Sequence, residues 1–282
     1  MSGAAGGDGE QSGDGQAARP FPPLPGRLPV DVFDSHCHLD LVGLPVEEQL
    51  ASAKAAGIAR IVTIGVDLPS SRLCADTAAE FDDVYAGVAI HPNDTTGITD
   101  AVLDDIAELA RAPKVRAIGE TGLDYYRDWA PKDDQHRSFR AHIEIAKRSG
   151  KALVIHDRDA HDDVLRILAE EGAPEHTVFH CFSGDAAMAE VCAERGYVMS
   201  FAGNITFKNA QPLRDALAVA PLDLILVETD APFLTPVPNR GKPNASYLIP
   251  HTVRFMADYK GVRLDDLCRA IAANGERVFG PW

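Results

Sequence analysis

The sequence predicts a single α/β domain folded as a TIM (β/α)8 barrel, and three observations predict it. Short β-rich runs alternate with amphipathic helical patterns. Eight such runs can be picked out, nearly all of them continuously apolar. The chain has 282 residues, close to the roughly 250 at which such a barrel closes as one domain. Strands buried on both faces with helices between them are what a parallel barrel demands, whereas a doubly wound open sheet, the competing architecture, usually stops at fewer strands. No internal repeat is visible.

In chain order, the first stretch is Gly, Ser, Ala, Asp and Gln followed by Phe21-Pro22-Pro23-Leu24-Pro25. It offers too little apolar surface to offset its ordering entropy. Residues 1–28 are therefore expected to form a disordered N-terminal tail, and residues 29–282 the barrel. The strands are expected near 30–33, 58–66, 85–90, 115–119, 152–155, 177–179, 197–201 and 224–227. Gly57, Gly150 and Gly196 each stand just before a strand, where a left-handed residue ends a helix and releases extended chain. Phe139, Ile143 and Ala146 share one helical face, as do Val164, Leu165 and Leu168, giving helices that can pack on the barrel.

With 45% hydrophobic and 24% charged residues the chain can bury a large core, which excludes disordered and fibrous classes. Lys and Arg number 27 against 42 Asp and Glu, a net charge of −15, which argues against a broad basic groove along a duplex. Locally recruited phosphate stays open, because bound divalent ions invert the sign of one pocket. Five cysteines without a CxxC pair fit neither a disulfide framework nor a zinc ribbon and read as reduced thiols. Cys181 and Cys192 read as core or flank packing. No apolar run approaches the ~18 residues of a membrane helix, and the first residues lack the blocks of a signal peptide. A cytoplasmic protein without membrane association is expected.

In a parallel barrel the chemistry sits at the C-terminal ends of the strands. The first strand ends in His36-Cys37-His38. A strand's side-chain period of two turns both imidazoles one way and the thiol the other, so the pair can grip one ion. Taken alone, the pair reads as well as two partly exposed histidines. Glu120, however, ends the fourth strand, His156 the fifth, His180 the sixth, and Glu228-Thr229-Asp230 the eighth. Ligand types at five strand ends are not expected by chance in one chain. Four histidines and two carboxylates exceed what one tetrahedral ion needs, and a carboxylate shared by two ions would use them all.

These residues lie in strings that resemble the TatD family of metal-dependent deoxyribonucleases. The strings are Asp34-Ser35-His36-Cys37-His38-Leu39-Asp40, Gly119-Glu120-Thr121-Gly122-Leu123-Asp124-Tyr125-Tyr126, Ile155-His156, His180-Cys181-Phe182-Ser183-Gly184, Glu228-Thr229-Asp230-Ala231-Pro232-Phe233-Leu234 and Asn274-Gly275-Glu276-Arg277-Val278-Phe279-Gly280. The resemblance runs from about Val30 to Gly280 and implies a TIM-barrel metallohydrolase of the amidohydrolase-like superfamily. It implies His36, His38, Glu120 and Asp230 around one divalent ion, and Glu120, His156 and His180 around a second. Zn²⁺, Mn²⁺ and Mg²⁺ all suit such ligands.

The implied reaction is cleavage of phosphodiester bonds in DNA by metal-activated hydroxide, exonucleolytic and on single strands or ends, with Glu120 as bridge and Asp230 as ligand and proton acceptor. His91, Arg127, Lys208 and Arg240 are the candidate substrate contacts, each equally readable as a solvated loop charge. Tyr125, Tyr126 and Trp129 could stack an unpaired base or simply pack the loop over the barrel mouth. After Arg240-Gly241-Lys242 this chain reads Pro243-Asn244-Ala245-Ser246, where many of the family read Arg-Asn-Glu-Pro. Two rivals remain: hydrolysis of a small amide, lactone or phosphate ester by the same ligand set, and a non-catalytic binding barrel. The first commonly bridges its ions with a carboxylated lysine where this chain has Glu120, and the second would be expected to have lost ligands. No obligate protein partner is evident.

Overall fold

The computed structural model describes residues 20–127 and 129–282. Eight parallel strands follow one another around a sheet in sequence order: β1 Val32–Cys37, β2 Ile58–Ile64, β3 Val84–Val88, β4 Val115–Asp124, β5 Ala152–Arg158, β6 Thr177–Phe179, β7 Val198–Phe201 and β8 Ile225–Val227. The intervening helices are α1 Val46–Ala56, α2 Leu68–Glu80, α3 Asp100–Leu109, α4 Lys132–Ser149, α5 His161–Glu171, α6 Ala186–Glu194 and α7 Gln211–Val219, with α8 Ile249–Lys260 and α9 Leu264–Phe279 after the last strand. This is the single-domain TIM barrel that the alternation predicts. Gly57, Gly150 and Gly196 all carry positive φ at the expected helix ends.

One seam needs special means. Where β1 meets β8, the Asp230 amide donates to the His36 carbonyl at 2.9 Å and the His38 amide to the Ala231 carbonyl at 2.8 Å. Beneath them the fully buried Asp34 carboxylate accepts from the Thr229 amide (2.9 Å) and hydroxyl (2.5 Å). Burial raises the Asp34 pKa to about 7 against these hydrogen bonds.

Two strands run further than the apolar pattern indicated. β1 continues through His36, and β4 continues five residues past Gly119 to Asp124, because polar ligands replace apolar residues as a strand enters the mouth. Gly122 makes the second extension possible. It has φ +136°, and a Cβ there would lie 2.1 Å from the His156 carbonyl oxygen on β5, so only glycine lets the two strands approach.

The tail boundary is corrected. Residues 1–19 lie outside the described part, but residues 20–28, expected to be tail, are docked on the barrel. Pro22 is buried and its carbonyl accepts from the Tyr247 hydroxyl. Arg254 donates to the Gly26 carbonyl, the Leu28 amide bonds the Ala56 carbonyl, and Leu28 is only 2% exposed. Prolines lower the entropy lost on ordering, and composition alone does not reveal the face they meet. No described helix is long and apolar enough to cross a membrane.

Two expectations follow. Leu28→Ala should lower the free energy of unfolding by about 2–5 kcal/mol, read by denaturant titration, where a free tail would give no change. The second concerns His142 on α4, which is fully buried. Its Nδ1–H donates to the Ser138 carbonyl at 2.8 Å and its Nε2 accepts from the Ile90 amide at 3.1 Å. Burial holds its pKa down to about 4 against about 6.5 unfolded. The unfolded chain therefore binds the extra proton first, so this contribution is whole above about pH 6.5 and is lost as pH falls toward 4, up to about 3 kcal/mol. His142→Gln should flatten that part of the stability–pH curve.

Candidate metal centre

The barrel mouth opens into a cavity of about 700 Å³, and Glu120 of β4 stands at its base, 4% exposed. Its two oxygens face different histidines. Oε1 lies 2.6 Å from His156 Nδ1 on β5, 2.8 Å from His180 Nε2 just after β6, and 3.5 Å from His91 Nε2 after β3. Oε2 lies 3.5 Å from His36 Nε2 on β1. Across the seam, Asp230 Oδ1 is 3.7 Å from His36 Nε2 and 3.6 Å from His38 Nε2. The period-two reading of His36 and His38 is thus realised, and all six expected ligands converge.

Other groups hold most of these imidazoles in place. His38 Nδ1 bonds the Ile64 carbonyl at 3.0 Å, leaving Nε2 for Asp230. His180 Nδ1 bonds Glu228 Oε1 at 3.2 Å, and that oxygen also accepts the Cys181 amide at 2.8 Å. His156 Nε2 meets Asp124 Oδ2 at 3.2 Å. Such partners fix ring orientation and raise the basicity of the facing nitrogen. His36 is the exception: it is fully buried, it stacks on His180 at 3.9 Å, and neither ring nitrogen has a hydrogen-bond partner among the described residues.

That orphaned ring tests whether a cation fits. Burial and the nearby His180 lower the His36 pKa and keep the ring neutral, with Nε2 facing two carboxylates at 3.5–3.7 Å, where it could offer a lone pair to a cation held between them. Two donors bound to one ion at 2.0–2.2 Å in tetrahedral array stand about 3.4 Å apart. The separations of His36 from Glu120 and Asp230, and of His38 from Asp230, at 3.5–3.7 Å, lie near that figure. His36, His38 and Glu120 form one possible metal-holding group, and His91, Glu120 and His156 form another. A third is formed by His36, His180 and Glu228, and Glu120 lies at hydrogen-bond length from both His156 and His180.

The charges are coupled accordingly. Burial alone would raise the pKa of Glu120, but His180, His91 and His156 hold it well below the usual range. Burial likewise opposes charge on His180 and is outweighed by Glu120 and Glu228, which push its pKa well up. His156 moves up in the same way under Asp124 and Glu120.

The expected substrate contacts divide. Arg127 lines the cavity, and His91 reaches in far enough to join the histidine cluster. Lys208 and Arg240 do not line it; Arg240 lies over the Phe207 ring at 4.2 Å. Tyr125 is tied by its hydroxyl to His136 and Asp163, each at 2.6 Å, whereas Tyr126 and Trp129 are 64% and 66% exposed. Cys192 is core, as expected, but Cys181 lines the cavity. In the departing loop the Asn244 side chain is buried and donates to the Thr229 carbonyl at 3.0 Å and to that of Phe233.

Sequence reading passed over Asp124, Glu228 and Arg158. Asp124 carried a signal, since 120, 122 and 124 alternate onto one face of β4. Glu228 stands in the quoted string two residues before Asp230, but nothing local shows that it turns to His180.

The model of the TatD-related DNase family matches residues 33–280. The chain is 42% identical over 261 residues to a metal-dependent hydrolase of Mycobacterium tuberculosis named TatD, covering 88% of this chain and 98% of that one. To the metal-dependent hydrolase YcfH of Escherichia coli K12 it is 38% identical, covering 88% and 95%. A crystal structure of a TatD homologue from Escherichia coli superposes with a TM-score of 0.83 at 27% identity, covering 88% and 97%. A TatD-family hydrolase of Entamoeba histolytica superposes at 0.78 with 19% identity over 90% and 99%, showing the shared fold.

Because His156 and His180 hold protons above the usual histidine range, loading the metal-free chain near neutral pH should release protons. Titration calorimetry in buffers of different ionisation enthalpy reads this directly. Uptake with no proton released would contradict the charge state described.

Proposed function

Since the chain belongs to the TatD family of metal-dependent hydrolases, we propose that it hydrolyses phosphodiester bonds of DNA, at single strands or ends and exonucleolytically, with two divalent ions in the cluster. The observation that carries this reading is the division of Glu120, with Oε1 toward His156, His180 and His91 and Oε2 toward His36. A carboxylate so placed suits two ions better than one. His36, His38, Glu120 and Asp230 would hold the first, and Glu120, His156 and His180, with His91 beside them, the second. Nitrogen-rich donors favour Zn²⁺ or Mn²⁺, while completion by oxygen would admit Mg²⁺. When bound, such a pair lowers the pKa of water toward 7 and neutralises charge on phosphoryl oxygens.

The chain's own groups do the rest. The Asp230 amide and the Ala231 carbonyl are bonded to the His36 carbonyl and His38 amide, which fixes the Asp230 carboxylate against both imidazoles. Burial would raise its pKa, but His38 and the neighbouring histidines lower it, so it is ionised at neutral pH and can orient a water and accept its proton. Exposed Tyr126, Trp129 and Phe233 about the mouth suit unpaired bases better than a rigid duplex. The family model's own name carries DNase. Free thiols throughout accord with action in the cytoplasm.

The test is cleavage of single-stranded DNA, duplex DNA and a small carboxylic ester by the same preparation, before and after chelation. Activity on DNA that chelator abolishes and metal restores is expected; activity on the ester alone would replace this reading with small-molecule hydrolysis. Asp230→Asn should retain much of the metal, because the amide keeps a ligating oxygen, and should lose about 10²–10⁴-fold in turnover with the proton acceptor. His36→Ala should lose the metal itself, as elemental analysis would show.

A further inference from the structure

The cavity is lined by Asp94, Glu120, Asp124, Asp157 and Asp230, so its walls repel a polyanion wherever no ion is held. Among the described lining residues only Arg127 and Arg158 bring lysine or arginine charge. Both are on the β4–β5 side, Arg158 at the end of β5 and Arg127 in the loop after β4. No described carboxylate lies within ion-pair distance of either guanidinium, although other arginines of the chain, such as Arg27, Arg72 and Arg166, are paired at 2.5–3.0 Å. Each guanidinium instead lies over an exposed ring, Arg158 over Tyr126 at 4.0 Å and Arg127 over Trp129 at 4.4 Å.

A guanidinium that rests its face on a ring keeps its N–H donors, which lie in its own plane, for another partner. The ring limits its wandering, so less entropy is lost when an oxyanion is gripped. The loop is anchored as well: Asp124 Oδ1 accepts the Tyr126 and Arg127 amides at 3.0 and 2.9 Å, while its Oδ2 meets the candidate ligand His156 at 3.2 Å. The two arginines are thereby set at a fixed offset from the metal cluster.

We propose that Arg127 and Arg158, propped on Trp129 and Tyr126, form a subsite for a phosphate of the substrate strand other than the one cleaved, so that the enzyme prefers an oligonucleotide to an isolated phosphodiester. This rests on the reading of DNA as substrate. Planar guanidinium groups take two phosphate oxygens at once, and on the reading above the histidine and carboxylate cluster, with its ions bound, would serve the scissile phosphate. A flanking phosphate is then the substrate anion for which these two donor sets remain.

The experiment compares pentathymidylate, which has flanking phosphates, with bis(4-nitrophenyl) phosphate, which has none. For Arg127→Ala and Arg158→Ala the ratio of kcat/KM on the first to kcat/KM on the second should fall about tenfold each, mainly through KM, with partial recovery in the Lys variants. The slope of log affinity for pentathymidylate against log salt should flatten by about 0.7 for each lost phosphate contact. A wild-type enzyme that cleaves pentathymidylate, with variants whose ratio and slope do not move, overturns the subsite and leaves the DNA reading standing. Equal losses on both substrates also overturn it, because the arginines would then act on the metal cluster or the fold. A wild type that hydrolyses only the small diester removes the DNA reading and the subsite with it.

Discussion

A carboxylate buried at the base of a barrel, with no lysine or arginine among the described residues in ion-pair contact with it, has to be compensated by imidazoles. Glu120 is that group: four histidines lie within 3.5 Å of its oxygens. Leaving it charged and unpaired would cost several kcal/mol or more. Each imidazole comes from a different strand or strand end, so the compensation exists only when β1, β3, β5 and β6 are in register around β4. His180 and His156 are oriented in turn by Glu228 and Asp124, as the Ile64 carbonyl orients His38 across the site. The site and the closure of the barrel are one constraint seen at two scales.

The β1–β8 seam shows how closely the two are joined. The backbone bonds that close it are made by His36, His38, Asp230 and Ala231, three of them donors to the cluster. Asp230 adopts φ +53° to do so, a left-handed conformation that aspartate tolerates better than most residues. Asn244 then binds the carbonyls of Thr229 and Phe233 from the next loop. This chain differs from the family pattern in that loop and still ties it to the strand end through a buried amide. The docked segment 20–28 reaches the same loop through Tyr247, so support for Asp230 extends well outside the barrel wall.

How much of this was legible in the sequence follows from the range of each interaction. Period-two alternation shows that His36 and His38 face one way, and strand order shows that Glu120, His156 and His180 emerge at the same end; both are local or topological facts. Strand length was underestimated where apolar residues gave way to ligands, which hid Asp124 two steps past Gly122. Glu228 could be counted but not aimed, because its partner His180 is 48 residues away. The docking of residues 20–28 depends on Tyr247 and Arg254, more than 220 residues distant, and no reading of a proline-rich composition contains that face. Lys208 and Arg240 had the right chemistry for phosphate, but neither loop carries its charge to the cavity.

The placement of charge also bears on how an acidic chain could act on the polyanionic substrate proposed above. A net charge of −15 weakens long-range capture of nucleic acid, and counterion release along a basic track is not available to supply affinity. On that reading, binding would be concentrated at the metal-ligand cluster and at Arg127 and Arg158, the lysine or arginine charges among the described residues that line the cavity. A footprint of a few phosphates would suit a strand end better than a long duplex tract. Asp124 ties the two parts together, holding His156 with one oxygen and the Arg127 loop with the other. On the proposed reading, one carboxylate would therefore relate the arginine subsite to the ligand His156, because both are held by Asp124.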